Sequence, residues 1–279
     1  MARSVYQEKG RVMQPLSRRK MLALSGAVAG IHALGRIPPC LAAPKWLDRQ
    51  TYGPFHCQAT FPIGPYEPMF REISSLGREL ERTLAIPPAN LPIDLYLFGD
   101  EPSHRTFISQ LYPRVPYRRA LYVQRGGRGS VYAYRQAELA IDLRHECTHA
   151  LLHANLAMVP LWLDEGLAEY FEMPESGRAS GHHHFSHLRW DLRLYGMRRT
   201  IEQLEQKSSL GAMGSVEYRF SWGWAHFMLH GPIAAHRVLV HYLGDIRQGS
   251  PPGKLSQRLR QAVPHLDERM IQHFKYWSV

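Results

Sequence analysis

Arg144-His145-Glu146-Cys147-Thr148-His149-Ala150, followed after a short gap by Pro160-Leu161-Trp162-Leu163-Asp164-Glu165-Gly166-Leu167-Ala168-Glu169-Tyr170-Phe171-Glu172, is the stretch on which the reading of this chain turns. Around the first segment, Ala140, Leu143, Cys147, Ala150 and Ala154 recur at helical spacing. They predict a helix over residues 138–156 with that arc turned to a core. On such a helix His145 and His149 share another face, about 40° apart and about 6 Å apart along the axis. Two imidazoles one turn apart can share one small cation, and zinc takes each nitrogen at roughly 2.0–2.1 Å. Glu146 lies about 100° round from His145. That offset makes it a poor ligand but lets it reach a water beside the metal and accept its proton. Cys147 falls on the core arc and points away from the two histidines, which makes it a buried free thiol rather than a ligand. His153 extends the histidine face, but about 12 Å from His145 along the axis, too far to share one ion.

Catalytic zinc sites keep three protein ligands and one open position. Glu165, 16 positions after His149, is the third candidate. A loop at residues 155–159 and a second helix opened by Pro160 could fold it back antiparallel. Gly166 would then let the two helices approach closely. Asp164 and Glu169 compete for the ligand role; Glu169, one turn past Glu165, is better suited to accept from the N–H of a ligand imidazole.

Trp162 to Tyr170 resembles the second helix of the gluzincin metallopeptidases, the thermolysin and aminopeptidase N lineage. The resemblance implies that Glu165 is the third zinc ligand beside His145 and His149, with Glu146 as general base. The gap between the two motifs is a few residues shorter than in the large aminopeptidases. More of the chain, roughly residues 60–245, is similar to small exported bacterial proteins with a peptidase-MA-like domain. That similarity rests on Leu95-Tyr96-Leu97-Phe98, the two metal segments, and Tyr218-Arg219-Phe220-Ser221-Trp222-Gly223-Trp224. It implies a zincin-like catalytic half and one zinc ion. In many gluzincins a phenol stabilises the developing oxyanion, a role open to Tyr218; packing with Trp222, Trp224 and Phe227 is the other reading of that residue.

Outward from these motifs, strand patterns fall at residues 51–63 and 92–98, and a hairpin at 121–124 and 130–134 turns through Gly126 and Gly127. Helical spacing covers residues 67–84 and 101–111. After residue 138 the chain is mainly helical, at 160–172, 200–206, 216–229, 234–246, 255–262 and 267–276. His182-His183-His184 and His187 read as a mobile loop, with a second metal as the lesser alternative. The expected class is α+β, a small N-terminal mixed or antiparallel sheet followed by a mainly helical half, with residues 43–279 as one domain.

The 279 residues carry a net charge of +10. Residues 1–42 hold seven of the bases and one acid, which leaves 27 bases and 23 acids and a net charge of +4 elsewhere. That balance argues against a nucleic-acid partner. The basic end itself reads as an export signal: Ser17-Arg18-Arg19-Lys20-Met21-Leu22, an apolar run to Gly35, and cleavage after Ala42. The paired arginines resemble the twin-arginine signal, with Met21 and Ala23 departing from its usual residues. An uncleaved anchor is the alternative, although the run is short for a span. The expectation is an exported zinc hydrolase of protein or peptide substrates, without a stable membrane span after processing. The alternative from another class is an exported domain that keeps the metal but binds a protein or wall partner without turnover.

Overall fold

The computed structural model describes residues 44–278; the export-signal reading of residues 1–42 lies outside them. The fold is mixed α+β, with a five-stranded sheet in the first half and mainly helices after it. Strands β1 (Asp48–Tyr52) and β2 (Phe55–Ala59) form a hairpin. Helix α1 (Glu67–Leu84) leads to β3 (Ile93–Phe98), and α2 (Glu101–Leu111) to a second hairpin of β4 (Ala120–Arg125) and β5 (Arg128–Tyr134). That hairpin turns on Gly126 and Gly127, both at positive φ (55° and 81°). A two-residue turn matched to the twist of its strands needs this conformation, and glycine adopts it without strain.

The strand order is β1-β2-β3-β5-β4. The inner pairs β2/β3 and β3/β5 are parallel and the outer pairs antiparallel. The central β3 is buried on both faces, as its near-continuous apolar run Ile-Asp-Leu-Tyr-Leu-Phe requires. On one face Phe98, Tyr132 and Leu121 pack with Ile108 and Tyr112 from the α2 side. On the other lies the main core, which runs from Phe55 in the sheet to Phe274 near the end of the chain.

The helical half comprises α3 (Leu139–His153), α4 (Leu161–Phe171), α5 (His183–Tyr195), α6 (Ile201–Glu205), α7 (Ser215–His230), α8 (Ile233–Arg247), α9 (Leu255–Ala262) and α10 (Leu266–Tyr276). Helix α5 corrects the expected loop at the histidine run. His182 caps it, its ring accepting from the His184 N–H at 3.1 Å. Leu188 and Leu192 on this helix are buried in the main core. Gly166 also departs from expectation. A Cβ there would stand 2.4 Å from the carbonyl oxygen of Ser221, so the close approach it permits is between α4 and α7, not α3 and α4. Among the described residues, no helix is long and apolar enough to cross a membrane.

Candidate metal centre

Helix α3 is buried on nearly every side. Leu143, Cys147 and Ala150 face the core, Ala140 and Ala154 are half-buried, and His145 and His149 turn to α4. The two helices run antiparallel, since Asp164 meets His153 while Phe171 meets Arg144. This arrangement brings Glu165 level with both ring nitrogens. His145 Nε2 and His149 Nε2 are 3.3 Å apart. Glu165 Oε2 lies 3.8 Å from the first and Oε1 3.9 Å from the second. Ligands bound to one zinc at about 2.05 Å in a tetrahedron stand roughly 3.3 Å apart. The three side chains therefore form a group of the size a single metal ion needs. Glu165 is 1 % exposed and its Oε2 has no hydrogen-bond partner among the described residues, a cost that a cation at this point would offset.

The other ring nitrogens face carboxylates, one through a hydrogen bond and one through a close contact. His145 Nδ1 donates to Glu172 Oε2 at 3.0 Å, and His149 Nδ1 lies 3.0 Å from Asp164 Oδ1. Asp164 also contacts His153 Nε2 at 3.1 Å, so His153 belongs to the cluster as a second partner of that acid and is not a free surface residue. This corrects the role expected of Glu169. Glu172, two turns past Glu165, is rotated only about 20° from it, whereas Glu169 is rotated about 40° the other way. Glu169 instead meets His182 and His184, 3.4 and 3.3 Å from their Nε2 atoms. Because His182 accepts at Nδ1, its proton sits on Nε2, which faces Glu172 Oε1 at 3.2 Å. The histidine run therefore buttresses Glu172 from behind. Glu169, His182, His183 and His184 are also close enough to hold an ion, but the tautomer of His182 makes it a donor in this arrangement.

The electrostatics follow from the crowd of acids. Burial alone would depress His145 and His149. For His145, Glu165 and Glu172 more than offset it; for His149, Asp164 and Glu165 do, so both rings are pushed above the ordinary imidazole value. Asp164 is held far below the usual carboxylate range: burial opposes this, and His149 and His153 overcome it. The centre is thus strongly favourable to positive charge.

Glu146 stands beside this group, its Oε2 accepting from the backbone N–H of Tyr122 on β4 at 2.8 Å. Tyr218, on α7, is 1 % exposed and its hydroxyl is buried without a partner among the described residues. Burial first, then Glu165, Glu169 and Glu146, push this phenol well above its ordinary value, so it stays a proton donor. Among the described residues, Cys57 and Cys147 are free and buried, the Cys57 thiol pushed up to about 12 by burial. His226 is enclosed by His273 and the Ala179 carbonyl, and His230 pairs with Tyr170, so neither reaches the centre. Sequence reasoning missed Glu172 as the partner of His145, although its seven-residue spacing from Glu165 was legible. It also missed Arg118, a buried guanidinium in a stretch without periodicity. No protein-family model matches the chain and no curated protein matches it, so the likeness to gluzincins stands on its motifs alone.

Proposed function

We propose that this protein is an exported, zinc-dependent peptidase of gluzincin type, acting on protein or peptide substrates. The observation that carries the reading is the convergence of His145, His149 and Glu165 at 3.3–3.9 Å, with Glu146 beside them. A bound zinc ion supplies Lewis acidity and brings the pKa of water to about 7.

The chain's own residues do the rest. Glu146 is fixed through one oxygen by the Tyr122 N–H, which leaves its other oxygen to accept a proton from the attacking water and deliver it to the leaving amine. Tyr218, kept protonated by burial and the surrounding acids, can donate to the oxygen that gains charge on the scissile carbonyl. The Glu172 bond to Nδ1 of His145, with the close contact of Asp164 to Nδ1 of His149, leaves both Nε2 atoms free, and these with Glu165 would hold the zinc.

The test is metal content of the purified protein followed by cleavage of a denatured-protein library at neutral pH. Glu146→Gln should keep one zinc per chain and lose cleavage. Equal inertness of wild type and variant, with zinc present in both, would favour the metal-retaining binding domain instead.

A further inference from the structure

Arg118 lies outside the His145–His149–Glu165 group and, among the described residues, makes no polar contact that would explain its burial. It is 7 % exposed, yet its Nε and Nη2 are buried with no hydrogen-bond partner among the described residues. Its neighbours in the chain are satisfied: the Tyr117 hydroxyl lies 3.1 Å from Nδ1 of His104, and Arg119 donates to Asp142 at 2.7 Å. A guanidinium stays charged at every physiological pH. An unpaired buried charge is among the costliest features a fold can hold. Nη1 is not among the orphaned buried atoms, so the cost falls on Nε and Nη2, and an anion reaching them would offset it.

The position of Arg118 indicates which anion. It sits two residues before β4, which lies at the edge of the sheet. Strand β4 and helix α3 run in the same direction, since Arg119 meets Asp142, Tyr122 meets Glu146, and Gln124 meets the His153 carbonyl. Arg118 therefore lies to the side of Glu146 nearest the start of α3. The outward N–H of Tyr122 is already taken by Glu146, so a peptide pairs only with the rest of the β4 edge; laid there in the antiparallel sense, the slightly more stable pairing, it has its C-terminal end on that side. The orphaned Tyr218 hydroxyl feels Arg118 together with Glu165, Glu169 and Glu146, so the guanidinium's field reaches the reaction centre.

We propose that Arg118 binds a substrate carboxylate on the C-terminal side of the scissile bond, so that the site favours cleavage close to a free C-terminus. This rests on the peptidase reading above and adds the substrate class to it. The two possible sources of the carboxylate are the terminal carboxyl group and an acidic side chain near it.

Binding and turnover separate the outcomes. Zinc-loaded Glu146→Gln protein is titrated calorimetrically with an N-acetylated tetrapeptide as free acid, with its C-terminal amide, and with an amide ending in Glu. The free acid should bind about 10- to 100-fold tighter than the plain amide, the range for a charge-assisted hydrogen bond. Adding Arg118→Gln should bring that ratio near one, and Arg118→Lys should restore part of it. If only the Glu-ending amide binds more tightly than the plain amide, the carboxylate is a side chain's; if only the free acid does, the terminal group is the ligand; if both do, either carboxylate serves. Equal binding of all three peptides overturns the proposal. So does a marked fall in melting temperature on Arg118→Gln, because a cation awaiting a ligand contributes nothing to the empty fold. Acid-selective binding without cleavage by the wild-type protein would sink the peptidase reading and leave Arg118 standing. Cleavage indifferent to acid or amide would do the reverse.

Discussion

Glu172 Oε2 accepts from Nδ1 of His145 at 3.0 Å while its other oxygen faces His182 Nε2 at 3.2 Å, so one buried carboxylate joins α3 to the cap of α5. The bond fixes which nitrogen of His145 is free to bind a metal, and the second contact fixes the carboxylate.

Removing that carboxylate's charge should weaken the centre without removing a ligand. Glu172→Gln is expected to lower zinc affinity by about 10- to 100-fold. Competition against a chromogenic chelator measures it, and unchanged affinity would mean that His145 needs no help in pointing.

Tyr218 is the test of transition-state stabilisation. Tyr218→Phe keeps the buried ring and deletes only an unpartnered hydroxyl, so the fold should not suffer. Zinc content and KM should hold while kcat falls by about 10²- to 10³-fold, the loss typical of one oxyanion donor. An unaltered kcat would return Tyr218 to the aromatic packing of α7.

Gly166 sets how closely α4 can lie on α7. Gly166→Ala pushes a methyl group against the Ser221 carbonyl, a backbone atom that cannot swing aside. A loss of about 1–3 kcal/mol is expected from overpacking, read by denaturant melts. Because Glu165 is the adjacent residue, zinc affinity should fall with it.

Away from the centre, Arg144 and Arg178 share Glu79, at 3.2 and 2.5 Å. Burial alone would raise the Glu79 carboxyl, but Arg178, Ser75 and Arg144 outweigh it and hold it below its ordinary value. Its contribution is therefore present above the ordinary carboxylate pKa and is lost as pH falls through the lower folded value. Glu79→Gln should cost about 3–5 kcal/mol at neutral pH by leaving buried arginines poorly paired. The difference between wild type and variant should shrink in acid; a difference independent of pH would remove the ion pair from the explanation.

Much of this architecture is legible in the sequence. The Gly126-Gly127 turn between β-forming runs marked the second hairpin, and the one-turn spacing of His145 and His149 put both imidazoles on one face of α3. The return of Glu165 depended on a short connection opened by proline, and α4 begins directly after Pro160. Helix α5 was hidden because three consecutive histidines obscure the helical spacing of Phe185, Leu188 and Leu192. Arg118 was hidden for a different reason. Burial and lack of a partner belong to the folded surroundings, and no local pattern announces them.

Asp164, Glu165, Glu169 and Glu172 all ride on α4 or its C-terminal cap. Inserting or deleting one residue within residues 165–171 would turn the acids beyond it about 100° away from those before it, whereas the exposed residues 157 and 158, between the buried Leu156 and Val159, carry none of them and are where the connection can lengthen. Lineages that vary this protein should therefore show gaps in that connection and an unbroken length from Asp164 to Glu172.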